Sequence, residues 1–499
     1  MRSKVSWAIG FAGMIAAASA SAETLLRVGV QRFPPDFGNP YPPIAQPAAL
    51  TLMAIYDTFT QIGPAGRVDP SLAISWTQES PTTWVFRLRE GVTFSNGEPF
   101  DATAVVAAFD YLKTDSGRRD SIALMDVNST FASYKARDEH TIEIVTVAPD
   151  PILPLHLISL RIPAPRHWAA LGRDKYQLVP VGTGPFQVES WTDARLELTA
   201  FKGAWRKPQI DRLRMLLIGD PTVRLQAFSS KAVDIAMALA PQDATEVEAG
   251  GGKLVSRPAP TVNYILFVTA KDGPLKDPRV RQALNYAANK ERIVAAFLAD
   301  AVRPVGQFSH PMAYGFDPAL QPYPYDPERA RRLLAEAGHA EGFSFTLLVE
   351  PTSGGNAVDW YQLLAQDFAA VGVRMTIRGS TTARISEYIM QGTWPEDAYA
   401  FAFAFAGFDT LRGYRFRSCA SEHPYHCDRA MTPLIAAAQT AETPDARLAA
   451  TRAALAHERE NPPGIPLWQG VGFDGVAGNV KDFIVEQDFV RWDLVHVEN

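Results

Sequence analysis

At 499 residues the chain is too long for a single hydrophobic core, so two or more lobes are expected. Hydrophobic residues make up 47% and charged residues 20%, the proportions of an ordinary globular protein, which excludes a disordered or fibrous chain. A formal net charge of −6 argues against nucleic acid or an anionic membrane as a general partner.

The first residues address the compartment. Arg2 and Lys4 give a basic start, Trp7 to Ala18 is apolar and small, and Ala20-Ser21-Ala22 puts small residues where signal peptidase reads. This is the pattern of a secretory signal peptide over residues 1–22, with a mature chain starting at Glu23. The apolar run is too short to cross a hydrocarbon core of about 30 Å. No cysteine lies near the cleavage point, so no lipid anchor is expected there, and the expected location is the periplasm of a Gram-negative cell.

Arg27 to Val30 reads as a first strand, followed by a proline-rich loop, Phe33-Pro34-Pro35-Asp36-Phe37-Gly38-Asn39-Pro40. Trp84, Phe86 and Leu88 alternate with Val85, Arg87 and Arg89, the period of a half-buried strand. Asn96-Gly97 marks a tight turn, and Asp101 then caps a helix whose apolar face carries Val105, Phe109 and Leu112. Arg195 to Phe201 alternates again as a strand. The spacing predicts one helix from Asp277-Pro278 carrying Val280, Leu284, Ala287 and Phe297, and another opened by Asp326-Pro327-Glu328 and closed by Gly338. Trp360, Leu364, Phe368 and Val371 form an apolar stripe that ends at Gly372. Strands and helices alternate throughout, which defines an α/β protein.

Cys419 and Cys427 are the only cysteines, eight positions apart. In an exported chain a pair this close is read as a local disulfide. The alternative is a metal site formed with His423 and His426, but Pro424 between them works against a regular helix, and zinc needs thiolates that export tends to oxidise. The disulfide is preferred, with no metal and no cofactor.

Signatures of catalysis are missing one after another. No Gly-x-Ser-x-Gly elbow occurs. Gly250-Gly251-Gly252-Lys253 is followed by Leu254, where a phosphate loop needs Ser or Thr, and Val247 stands where its first glycine belongs. His457-Glu458 is followed by Asn461 in place of a zinc protease's second histidine, and Gly182-x-Gly184 runs into Pro185, which removes a phosphate-facing amide. An enzyme is not expected.

Leu72-Ala73 to Trp76, the run Trp84-Val85-Phe86-Arg87-Leu88-Arg89-Glu90-Gly91-Val92-Thr93-Phe94, and Asn96-Gly97-Glu98-Pro99-Phe100-Asp101-Ala102 to Val105 form a long signature. It is followed by Gly182-Thr183-Gly184-Pro185-Phe186 to Trp191, Asp277-Pro278-Arg279-Val280-Arg281-Gln282-Ala283-Leu284 through Asn289-Lys290-Glu291, Tyr325-Asp326-Pro327-Glu328 to Gly338, and Ile465-Pro466-Leu467-Trp468. In this order the segments resemble extracellular solute-binding protein family 5 of ABC importers, the oligopeptide, dipeptide and nickel binders. The resemblance runs over nearly all of the chain after residue 22.

The resemblance implies a two-lobed periplasmic binding protein of type II with an extra accessory subdomain and a ligand cleft between the lobes. Lobe I would be discontinuous, at 23–50, 180–257 and 470–499. The accessory subdomain would fill 51–179, and lobe II would run over 258–469. The chain would cross near Ala259-Pro260-Thr261 and Pro466-Leu467-Trp468, two crossovers that act as a hinge. The implied function is capture of a peptide or peptide-like solute and its delivery to permease subunits in the inner membrane, by a protein that is itself monomeric. An opine, a sugar conjugate or oligosaccharide, or a nickel chelate is the alternative cargo.

Similar peptide binders hold the ligand's α-amine with an Asp shortly before a Cys-flanked loop, and Asp409 stands in the matching place; a turn cap explains it equally well. The segment from Leu411 to Arg417 is shorter than in dipeptide binders and carries Arg412, Arg415 and Arg417, which would grip a carboxylate or phosphate or form a solvated face. Ser353 to Asn356 lacks the Arg that a strict dipeptide receptor would use for a carboxylate. Arg32, Phe33 and Tyr41, in the loop after the first strand, and Trp394, before Phe401, are candidate cleft walls, with packing of exposed loops as the other reading of each.

Overall fold

A computed structural model describes residues 23–42, 48–63, 66–121, 130–350, 357–404, 408–415, 417–486 and 489–498. The expected signal peptide and the Ser353–Asn356 stretch lie outside the described residues.

A ten-stranded mixed sheet runs through the molecule. Its order is Val373–Gly379, Phe343–Val349, Ala398–Ala404, Gly252–Phe267, Gly464–Ala477, Ile235–Leu239, Leu25–Val30, Arg212–Leu217, Arg195–Ala200 and Phe186–Trp191. Leu25–Val30 lies inside one half, parallel to both neighbours, and Leu26, Val28 and Val30 are fully or almost fully buried there. The two halves of the sheet meet at Gly252–Phe267 and Gly464–Ala477, an antiparallel pair that runs from Gly252↔Ala477 to Leu266↔Gly464. The register shifts between Pro258 and Val262 and again before Tyr264, where Pro258 and Pro260 have no N–H to give the ladder. The passage between the halves is therefore made by bulged strands bonded to each other, not by free coil.

Three cores flank this frame. One packs Leu26, Met215, Ile235 and Trp492. A second packs Phe267, Leu284, Leu347, Phe368 and Trp468 around the other half. The third fills the four-stranded sheet Ala73–Ser80, Thr83–Leu88, Thr141–Thr146 and Phe131–Asp138, with Phe86, Val105, Phe109 and Ile144 at its centre. Its helix Ala102–Leu112 begins at Asp101, whose carboxylate accepts from the amides of Thr103 and Ala104. Gly97 takes φ +85° in the preceding turn, a conformation other side chains resist.

One expectation needs correcting. The helix from Pro278 ends at Ala287, and Phe297 belongs to a separate helix, Lys290–Phe297. Ala288 is extended, while Asn289 caps the second helix through Arg292 N and anchors its own N–H on Asp367. The glycines of Gly182-Thr183-Gly184 are needed for proximity: a Cβ on Gly182 would stand 2.1 Å from the Ile55 carbonyl oxygen, and one on Gly184 2.6 Å from the Ile55 carbonyl carbon.

Candidate functional site

Cys419 and Cys427 are joined in a disulfide, with Cα atoms 4.6 Å apart. His426 is buried, its Nδ1 2.9 Å from the Thr269 hydroxyl, and burial pushes its pKa down to about 3. His423 is more exposed and sits against Gly392. Among the described residues no group of three or more His, Cys, Asp and Glu is placed to hold a metal ion.

Asp409 lies in a seam where the segment 408–415 and the helix Pro444–Glu460 meet residues 150–158. It is 2% exposed. One carboxylate oxygen accepts from the Leu411 amide, and the other faces His156 Nε2 at 3.2 Å and Arg447 at 2.9 Å. His156 Nδ1 in turn lies 2.7 Å from Asp150. Desolvation pushes the Asp409 pKa up, but the His156 hydrogen bond and the Arg447 charge outweigh it and hold the carboxyl well below its ordinary range. Around this cluster Ile62, Ile152, Leu155, Ile158 and Phe408 close an apolar layer that excludes water. Asp409 is thus committed to three donors before any solute arrives, and a ligand ammonium would have to displace one of them.

Asp150, His156 and Arg447 were not singled out from the sequence, although each leaves a trace there. His156 is the one polar side chain in Ile152-Leu153-Pro154-Leu155-His156-Leu157-Ile158, so it must be buried and needs partners. Arg447 shares a helix face with buried Thr451, Ala454 and Leu455.

The remaining candidates separate. Phe33 packs edge-on to Trp191 at 5.8 Å, on the core around the first strand. Tyr41 is a core residue, stacked on Tyr111 at 5.0 Å and edge-on to Trp168 at 5.3 Å. Arg32 is exposed, and Arg412 is half-buried with its charge acting on both Asp409 and His156. The side chain of Arg415 lies outside what is described.

Trp394 packs against Tyr399 and Tyr425 at 5.4 and 6.1 Å, beside a cavity of about 150 Å³. Tyr264, Leu266, Ile389, Phe401, Arg417 and Tyr425 contribute to its wall. Arg417 is buried and bonds to Glu458 at 2.6 Å and to the Phe308 carbonyl at 3.2 Å, with Tyr414 under its guanidinium at 4.2 Å. It is therefore neither a solvated charge nor a free anion grip. Tyr264 is 2% exposed and its hydroxyl has no hydrogen-bond partner. The turn Thr410–Arg415 ties cavity to seam: it follows directly on Asp409, and its Gly413 is part of the cavity wall. A larger hollow of about 760 Å³ at Gly273, Asp277, Arg279 and His339 is an open surface depression with no buried polar group.

Two half-sheets joined by a pair of long strands, with a buried seam and a small cavity beside it, describe a solute-binding protein. The family model for bacterial extracellular solute-binding proteins, family 5 Middle, matches residues 67–413, and the chain belongs to that family. It is 28% identical to the dipeptide-binding protein of Escherichia coli (strain K12), over 84% of each chain. It is 27% identical to di/tripeptide-binding protein 2 of Pseudomonas aeruginosa (strain UCBPP-PA14), over 88% of this chain and 89% of the relative. Among solved structures, the periplasmic binding protein DppA from Helicobacter pylori in complex with peptide STSA superposes with a TM-score of 0.78 at 20% identity, covering 96% of this chain and 98% of that one. NikA from Brucella suis in complex with Fe(III)-EDTA gives 0.83 at 21%, covering 95% and 100%. The family and the two curated relatives are named for binding, and this chain is a solute-binding protein, not an enzyme. No helix among the described residues is long and apolar enough to cross a membrane.

Proposed function

We propose that this protein captures short peptides in the periplasm, after removal of its first 22 residues, and delivers them to the permease of an ABC importer. The observation that carries the peptide reading is the pair of near full-length relatives, both named for di- or tripeptides. The cavity agrees with it. A largely apolar void of about 150 Å³ is the size that holds a ring such as benzene, so it suits one apolar or aromatic side chain. The peptide backbone then lies along the turn Thr410–Arg415, with the half-buried Arg412 facing an acidic group and the side chain directed toward Tyr264 and Phe401. Asp409 meets a ligand ammonium only by exchanging it for one of its present donors.

Calorimetry with a panel of di- and tripeptides tests this reading. Peptides with Phe, Leu or Tyr should bind more tightly than all-glycine peptides of the same length, and N-acetylation should weaken binding if the ammonium reaches Asp409. Heat from an opine or a metal chelate, with none from any peptide, would reject it.

A further inference from the structure

The seam cluster holds a chemical constraint that capture by itself does not require. His156 presents both ring nitrogens to carboxylate oxygens, Nδ1 to Asp150 at 2.7 Å and Nε2 to Asp409 at 3.2 Å. A carboxylate held ionised only accepts hydrogen bonds. Neutral imidazole has one N–H and one lone pair, so one of the two contacts would set a lone pair against an anion in a water-excluded layer. Only the imidazolium satisfies both. With the two carboxylates, Arg447 and the half-buried Arg412 counted, the cluster is neutral around a neutral ring and carries one positive charge around a protonated one, so the two hydrogen-bond contacts, not the charge sum, select the imidazolium. Arg412 from the turn and the Tyr314 phenol are the other titratable groups facing the cluster; Arg412 opposes the protonated ring, and Tyr314 stays neutral because burial raises its pKa.

Asp150 and His156 belong to the segment that packs with residue 62, while Asp409 and Arg447 belong to the opposite side. Parting the two sides leaves an Asp150–His156 pair on one and an Asp409–Arg447 pair on the other. The Asp409–Arg447 pair stays charged, while the ring loses its second anion and with it part of what holds its proton.

We propose that His156 is a proton-dependent clasp: its imidazolium, donating to Asp150 on its own segment and to Asp409 across the seam, holds the molecule closed, and opening releases the proton. Desolvation pulls the ring's pKa down, but the Asp150 charge and the bonds to Asp150 and Asp409 outweigh it, so the net shift is upward in the closed form. A raised value in the closed form means that the clasp is fully engaged below the open-form pKa and is lost as pH rises through the closed-form pKa. Closure is favoured by acid, and the equilibrium shifts toward the open form across the neutral range.

The test uses the full, unliganded chain, so it does not depend on what the solute is. Nuclear magnetic resonance of the labelled histidines follows the ring, assigned by the signal lost in His156→Gln, and small-angle scattering follows molecular size from about pH 5.5 to about pH 8.5. His156 should titrate above the ordinary value of about 6.5, and the radius of gyration should grow with pH along the same curve. Asp150→Asn, which keeps shape and removes one anion, should move titration and expansion together to lower pH by at least about half a unit, a coupled shift that a merely structural role would not give. In His156→Gln the radius should no longer depend on pH. A ring titrating at or below its ordinary value, a size constant over the range in the unsubstituted protein, or an expansion that ignores Asp150→Asn would each overturn the clasp. Wild-type titration and Asp150→Asn keep the test decisive if His156→Gln does not fold.

Discussion

Two of the ion networks that bind the 51–160 region to the rest of the molecule, one around Asp57 and one around Asp409, differ in whether they contain a histidine. Around Asp57 the partners are the Thr183 hydroxyl at 3.0 Å, the Trp205 indole at 2.7 Å and Arg206 at 2.8 Å, with Arg206 continuing to Asp493 at 2.7 Å and Arg491 bonding Asp493 at 2.6 Å. Around Asp409 the partners are Arg447 and His156. The charged members of the first network are arginines and carboxylates, whose charges do not change between about pH 5 and pH 9. The second contains an imidazole, the side chain whose ordinary pKa falls within that range, here raised by the Asp150 charge and the bonds to Asp150 and Asp409 against the pull of desolvation. Similar burial and similar bond lengths thus give a junction fixed at all ordinary pH values and one that loss of a proton can loosen.

The largest effect should come from breaking the fixed junction. Arg206→Met leaves Asp57 and Asp493 without their shared cation, and removing one partner of a buried pair costs about 3–5 kcal/mol. Urea denaturation should show a loss near the top of that range, equal at about pH 6 and about pH 8. Asp493, held below its ordinary pKa, contributes stability that is present above the usual carboxylate range and lost as pH falls through its depressed value, so any pH dependence here belongs to acid conditions. A loss that varied across neutrality would erase the contrast between the junctions.

Arg447→Met strikes the other junction and should cost less. Asp409 keeps His156 when the ring is protonated, so denaturation should show a loss of about 3 kcal/mol at about pH 8.5 and a smaller one at about pH 5.5. The asymmetry is the informative quantity. An equal loss at both values would mean that the imidazolium does not stand in for the missing guanidinium.

The fold was legible where local chemistry sets it, and the site was not, because distance in sequence separates its parts. Asp101 before an apolar helical face and Trp84-Val85-Phe86 in alternation carry their structures in adjacent residues, and both appear where the pattern places them. The break at Ala288 was hidden because the apolar spacing continues through it, while the signal that ends the helix is a cap, Asn289, fixed by Asp367 from another helix. In the sequence Asp409 is a candidate for a ligand ammonium and equally for a turn cap, but His156 is 253 positions away and Arg447 sits 38 positions on, so no window of sequence shows them as one cluster. Tyr41 and Phe33 were read as cleft walls from their loop, and the rings that claim them, Tyr111, Trp168 and Trp191, come from elsewhere in the chain.

The smallest predicted effect concerns a region opposite in kind to both junctions. There every charged group has a partner; in the cavity the Tyr264 hydroxyl is buried with none. Leaving a buried hydroxyl unsatisfied costs about 1–3 kcal/mol. Tyr264→Phe removes the hydroxyl and keeps the ring that stacks on Phe308 at 4.8 Å. The unliganded variant should be as stable as the parent or more stable by about 1 kcal/mol in urea denaturation. Peptides whose side chain ends in a hydroxyl, Tyr above all, should lose affinity relative to Phe, because their polar tip no longer meets a partner in the cavity. A clear loss of stability would show that Tyr264 is satisfied in solution, and an unchanged ratio of Tyr-peptide to Phe-peptide affinity would mean that the side chain does not enter here.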